Sequence, residues 1–95
     1  MQMKEAYLER TVGEVEDVAA RVALLKNRFA RQKANVKLEH YWELEYVRTS
    51  FAQFKRAIQA LEEAEDTEID RTQQAVEMAW KDLIHAVDTL VAALP

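Results

Sequence analysis

Residues 36–61 read VKLEHYWELEYVRTSFAQFKRAIQAL, and this stretch decides the fold because it carries two apolar stripes. Steps of three and four residues place the longer stripe on one helical face: Val36, His40, Leu44, Val47, Phe51, Phe54, Ile58 and Leu61. Leu38, Trp42 and Tyr46 follow one another at four-residue steps and point to the opposite side. A helix that is apolar on two faces is either central in a bundle or makes two interfaces.

One further stripe lies on each side of this stretch. The first third of the chain predicts a helix with the apolar positions Leu8, Thr11, Val15, Val18, Val22, Leu25 and Phe29, widened by Val12 and Ala19. The last third predicts a helix with Ile69, Val76, Trp80, Leu83, Val87, Leu90 and Leu94, flanked by Ile84 and Val91. Three amphipathic segments predict an all-α fold, either an antiparallel helical hairpin or a three-helix bundle with coiled-coil-like packing.

Composition supports this class and excludes others. The chain has 95 residues with one Gly, one Pro and no Cys, and it is 49% hydrophobic and 32% charged. The lack of Cys excludes disulfide scaffolds and thiolate metal sites, and a single Gly excludes glycine-rich phosphate loops. We expect a single helical domain over 1–95. We also expect a cytoplasmic location, because no signal peptide and no apolar run of about 20 residues is found.

The positions of the turns are open at this stage. A turn near 64–67 is favoured, with Thr67 as a helix cap and Asp70 completing a variant capping box. A second turn near 33–35, with Asn35 as cap, would give a closed three-helix bundle. The alternative is a symmetric hairpin that turns at 49–50, where Ser50 and Gln53 would form a capping box.

An eleven-residue spacing raises a further possibility. Apolar residues recur at this interval through the second half of the chain: Val36, Val47, Ile58, Ile69, Trp80 and Val91. Eleven residues are close to three helical turns, so one helix could run uninterrupted through Asp66, or two separate helices could share the pattern. If the first two thirds formed one helix, the Leu8 to Phe29 stripe would be exposed and would require a dimer or higher oligomer.

Charge is distributed unevenly along the chain, which has a formal net charge of -4. The segment 18–38 contains basic residues and no acidic one: Arg21, Lys26, Arg28, Arg31, Lys33 and Lys37. The segment 39–70 contains nine acidic residues against three basic ones. This asymmetry predicts that the basic segment pairs with the acidic one, within the chain or across a dimer.

Three short motifs resemble a known group of sequences. They are Lys37-Leu38-Glu39-His40-Tyr41, Leu61-Glu62-Glu63-Ala64 and Ala79-Trp80-Lys81-Asp82-Leu83. Over 34–87 the pattern resembles small, uncharacterised bacterial helical proteins of coiled-coil type, in which an Ala-Trp-x-acid-Leu module is repeated eleven residues apart. Here the second copy is intact and the first is reduced to Glu68-Ile69-Asp70. The resemblance implies a helical hairpin or bundle and brings no known activity.

Residues that could carry chemistry are few. His40 with Glu43, and Asp82 with His85, stand three residues apart, but neither pair has the Glu-then-His order of carboxylate-bridged metal bundles. Ser50 is the only serine, and no nucleophile elbow accompanies it. We therefore expect no catalysis, no metal and no cofactor.

Tyr and Trp combine apolar area with a polar tip, which suits interfaces. We predict contact residues at Leu38, Tyr41, Trp42, Tyr46 and Trp80. The sequence favours a non-catalytic interaction protein that forms a dimer or higher homo-oligomer, with a different protein partner as a possibility. Two alternatives are open: binding to a membrane surface, disfavoured by the acidic polar face of the last helix, and binding to nucleic acid through 21–37, disfavoured by the acidic chain.

Overall fold

The structure, a computed structural model, describes residues 2–95. Its helices are α1 (Gln2–Ala30), α2 (Ala34–Glu39), α3 (Tyr41–Glu63) and α4 (Ile69–Ala93), with a 3₁₀ turn at Asp66–Glu68. No strand occurs among these residues. The predicted all-α class is confirmed.

The three long helices form an up-down-up bundle that measures 50 × 19 × 17 Å. Two contacts between distant residues fix this topology. Lys4 in α1 bonds to the backbone of Ala64 just beyond α3, and Arg28 near the other end of α1 bonds to the backbone of Leu94 just beyond α4. Helix α1 is therefore parallel to α4, and α3 is antiparallel to both. The most extensive pairing is between α3 and α4.

The core follows the three predicted stripes. Its buried hydrophobic residues are Val18, Val22, Leu25, Phe29, Leu44, Val47, Phe54, Ile58, Leu61, Val76, Leu83, Ala86, Val87, Leu90 and Leu94. All of them except Ala86 belong to the stripes read from the sequence. Two polar residues, Thr11 and Ser50, are also buried. Because α3 and α4 cover the apolar stripe of α1, the dimer that an uncovered stripe would require does not follow.

The helix boundaries agree with the first expected turn and correct the other details. The chain leaves α3 at Glu63, next to the turn expected near 64–67. Thr67 is not a cap, because the 3₁₀ turn continues directly into α4 and places Thr67 inside helical structure. Asp70 likewise completes no capping box, since Glu68 precedes α4 without a side-chain cap bond. The eleven-residue spacing therefore spans separate helices.

The turn between α1 and α2 lies at residues 31–33, slightly earlier than expected. Lys33 is the extended residue before α2, so Asn35 lies inside the helix and the prediction that it caps the helix is wrong. The symmetric hairpin is wrong as well. Ser50 lies in the interior of α3 and is 2% exposed, so it packs in the core instead of capping a turn.

Candidate interaction surfaces

A large apolar group is exposed where α2 meets α3, at one end of the bundle. Its members, here called the aromatic patch, are Leu38, Tyr41, Trp42 and Tyr46. Leu38 is 81% exposed and Trp42 78%, against 45% for Tyr41 and 41% for Tyr46. The rings of Tyr41 and Trp42 meet edge to face at 5.2 Å, and Tyr46 lies 6.5 Å from the ring of His85 on α4. Leu38 and Trp42 are therefore largely uncovered, whereas α4 lies against Tyr46.

The joint between α2 and α3 sets the position of the patch. Helix α2 ends at Glu39, and the backbone N–H of His40 donates to the carbonyl of Val36. The carbonyl of His40 then accepts from Leu44 at the start of α3. Nδ1 of His40 lies 2.6 Å from Oε2 of Glu43, a hydrogen bond that ties the joint to the first turn of α3. The patch residues therefore lie around a bend in the chain that these hydrogen bonds at His40 stabilise.

Trp80 does not belong to this surface. It is half-buried against the core, and its ring lies 5.2 Å from the ring of Phe54. The structure therefore separates Trp80 from the other four predicted contact residues. This separation arises because Trp80 lies near the middle of α4, whereas the patch lies at the start of α3.

Trp80 instead lines a cleft of about 230 Å³ between α1, α3 and α4. The inner wall is formed by Tyr7, Thr11, Phe54, Val76 and Trp80. Arg10, Glu14, Glu77 and Lys81 also line it and supply its charged groups. The sequence does not predict this cleft, because its lining residues come from three helices and meet only through their packing.

Local contacts explain how the cleft accommodates its polar groups. The Thr11 hydroxyl donates to the backbone carbonyl of Tyr7 at 2.7 Å, so it is satisfied within α1. The guanidinium of Arg10 lies 5.1 Å from the centre of the Tyr7 ring and 3.9 Å from a carboxylate oxygen of Glu14. Burial raises the pKa of the Tyr7 phenol, and the negative charge of Glu77 raises it further, against the opposing effect of Arg10.

The basic segment does not pair with the acidic segment inside this chain. Arg21 approaches Asp88 on α4 at 4.0 Å, and Asp88 lies outside the acidic segment. Arg28 donates to the main-chain oxygens of Leu94 and Pro95, and Lys37 to that of Ala30. In the described part of the chain, none of Arg21, Lys26, Arg28, Arg31, Lys33 and Lys37 forms an ion pair with an acidic residue of 39–70.

For the acidic run 62–70 the reason is topological. This run surrounds the turn between α3 and α4, whereas the second half of α1 and the turn after it lie at the other end of a 50 Å bundle. Charges this far apart interact weakly, because the Debye length is about 8 Å at physiological ionic strength. Glu43 and Glu45 lie at the same end as the basic segment but interact with their own neighbours His40 and Arg48. Pairing across a dimer stays a prediction.

Among the described residues, no group of three or more metal-ligating side chains comes together. No helix in this part of the chain has both the length and the apolar character that crossing a membrane requires.

Comparison with known proteins gives no relative: no family model, no curated protein and no solved structure matches this chain.

Proposed function

We propose that this protein is a non-catalytic interaction module that self-associates through the aromatic patch. The observation that carries the proposal is the exposure of Trp42, at 78%, with the Tyr41 ring edge to face against it and the exposed Leu38 at the end of α2. Trp and Tyr side chains dominate the binding energy of many interfaces when they become buried. A group of exposed apolar side chains at one end of a small helical protein is typical of a contact surface.

The charges around the patch support a second copy of the chain as its occupant. A two-fold interface brings the same surface of both subunits together, so a rim of one sign would repel itself. The rim here carries both signs, with Lys37 and Arg48 as well as Glu39 and Glu45 close in sequence to the patch. Such a rim permits self-contact. It also lacks the concentrated positive charge that would favour nucleic acid or an anionic membrane.

The two alternative functions gain no support from the fold. The membrane alternative needs the apolar face of α4, but Leu83, Val87 and Leu90 on that face are buried in the core. The nucleic-acid alternative needs 21–37 as a recognition element. Phe29, its only aromatic residue, is buried, and Arg28 bonds to main-chain oxygens at the end of α4.

Sedimentation velocity over a concentration series tests the proposal. We expect the wild-type chain to associate with rising concentration and Trp42→Ala to dissociate at concentrations where the wild type is dimeric. Loss of a central Trp costs an interface about 2 kcal/mol or more, which corresponds to at least about a 30-fold weaker dimer.

Leu24→Ala is the matched control, because Leu24 is 69% exposed but lies on α1, outside the patch. We expect Leu24→Ala to associate like the wild type. Circular dichroism should give the same helicity for both variants, since neither side chain is part of the core. A wild type that stays monomeric throughout the series, or an equal loss of association in both variants, would contradict the proposal.

A further inference from the structure

We propose that the cleft between α1, α3 and α4 is a binding site for a small, uncharged, bicyclic aromatic molecule. The site is distinct from the aromatic patch and does not depend on self-association. The partly buried rings of Tyr7 and Trp80 line it, and the buried side chains of Phe54 and Val76 lie behind them. Apolar and aromatic walls with a few polar groups at the mouth are the usual composition of small-molecule sites.

Thr11 lines the cleft from a core position of α1 without offering it a free polar group. Its β-branched side chain has nearly the size of the Val18 and Val22 side chains further along the same stripe, but it carries a hydroxyl. Thr11 is 3% exposed, and this hydroxyl is already bonded to the Tyr7 carbonyl at 2.7 Å. An apolar occupant suits such a wall.

The size of the cleft selects the occupant. An apolar cavity of about 150 Å³ accommodates benzene. The cleft measures about 230 Å³, which suits two fused rings and is smaller than the sites that bind drug-sized molecules. The Trp80 ring packs at 5.2 Å on the ring of the fully buried Phe54 and, with the Tyr7 ring, offers aromatic surface to a flat ligand.

The charges at the mouth balance, which favours an uncharged ligand. In the parallel packing of α1 and α4, Arg28 meets Pro95, 67 positions further on, and Arg21 meets Asp88 in the same register. This register places Arg10 toward Glu77 and Glu14 toward Lys81. Neither pair forms an ion pair within 4.0 Å in the described structure, so opposite charges flank an opening that they do not close.

Titration of the full, ¹⁵N-labelled chain with indole tests the site by NMR. We expect saturable shifts that are largest at the side-chain N–H of Trp80 and at the backbone amides of Thr11 and Val76. The side-chain N–H of Trp42 serves as an internal reference in the same spectrum and should move little. For so small a ligand we expect a dissociation constant of about 1 mM or below.

Two variants distinguish indole binding in the cleft from indole binding elsewhere on the protein surface. Thr11→Leu fills the cleft and should weaken indole binding about tenfold or more, a difference of about 1.4 kcal/mol. Thr89→Leu is the matched control, because Thr89 makes the same bond to the carbonyl four residues earlier, at 2.7 Å, but is exposed near the end of α4. It should bind indole like the wild type.

If Thr11→Leu does not fold, Val76→Ile adds a single methyl group to the same wall and should weaken binding in the same direction. The proposal is overturned if the largest shifts occur at Trp42, if no saturable shift appears up to several times 1 mM, the expected upper limit, or if the cleft-filling variant binds like the wild type.

Discussion

Gly13 lies in the middle of α1, where a residue without a side chain has a cost and no structural purpose. Its backbone does not adopt a positive φ, and a Cβ built on it meets no atom within 4 Å. Glycine in a helix interior is less favourable than alanine by about 1 kcal/mol, because it loses more conformational freedom on folding. A substitution of Gly13 by alanine therefore changes the backbone entropy of the unfolded chain without changing the packing of the core.

We expect Gly13→Ala to raise the free energy of unfolding by about 1 kcal/mol and the melting temperature by about 4–8 °C. Thermal unfolding followed by circular dichroism measures both. The reverse change at a nearby exposed position, Ala20→Gly, should lower stability by a similar amount. A loss of stability in Gly13→Ala would mean that this glycine has a role that the helix geometry does not reveal.

Tyr7 makes stability depend on pH in the alkaline range. Burial and the charge of Glu77 raise its pKa above the ordinary value of 10.0, so the folded state favours the neutral phenol. A raised folded-state pKa contributes stability that is fully present below the ordinary pKa and is lost as the pH rises through the folded pKa. The contribution of Tyr7 is therefore present at neutral pH and disappears in the alkaline range above pH 10.

Chemical denaturation at about pH 8 and about pH 11, on either side of the ordinary tyrosine pKa, tests this. We expect the wild type to lose more stability between the two than Tyr7→Phe does. Glu77→Gln removes one cause of the shift and should give an intermediate loss. Equal losses for the wild type and Tyr7→Phe would contradict the prediction.

At the scale of the elements, basic side chains of α1 cap the C-terminal ends of the other two long helices. Neither α3 nor α4 has a basic residue in its last turn, where a cation would suit the helix dipole. Helix α1 supplies these cations. Lys4 donates to the main-chain oxygens of Glu62 at 3.0 Å and Ala64 at 2.8 Å, and Arg28 to those of Leu94 at 3.1 Å and Pro95 at 2.9 Å.

We expect Arg28→Ala to lower the free energy of unfolding by about 1 kcal/mol, because it removes charge-assisted hydrogen bonds at a partly exposed helix end. Faster amide hydrogen exchange in the last turn of α4 should accompany this loss. Lys26→Ala is the control, since Lys26 lies on the same helix and is exposed. An equal effect of the two substitutions would contradict a capping role for Arg28.

The helices also show how much of the fold can be predicted from the sequence alone. Helical periodicity predicts the three long helices and almost the whole core, because burial of one face dominates their stability. The predicted helix caps at Thr67 and Asn35 are wrong because capping depends on local preferences that are weaker than the burial of a helix face. The cleft cannot be predicted from the sequence for another reason. Tyr7 and Glu77 meet only through the register of α1 on α4, and no periodicity within one helix encodes that register.

At the scale of the whole molecule, the up-down-up topology separates the basic second half of α1 from the acidic run 62–70. The second half of α1 shares one end of the bundle with α2 and the start of α3, which carry Glu39, Glu43 and Glu45, and the run 62–70 lies at the other end of the 50 Å bundle. The aromatic patch lies at the first of these ends, where charges of both signs occur. Any contact made through the patch therefore joins two bundles near their ends and not along their lengths.

This geometry predicts the shape of the dimer, which small-angle X-ray scattering measures together with its mass. At low concentration we expect a monomer with a maximum dimension slightly above the 50 Å backbone length. At high concentration a dimer formed through the patch should be clearly longer, because the patch occupies only the end of α2 and the first two turns of α3, a helix about 35 Å long at 1.5 Å per residue. Trp42→Ala should keep the monomer dimension at both concentrations.

A doubled mass without an increase in length would mean that two bundles lie side by side. The contact surface would then have to be sought along α1 and α4, where Leu24 and Val91 are exposed.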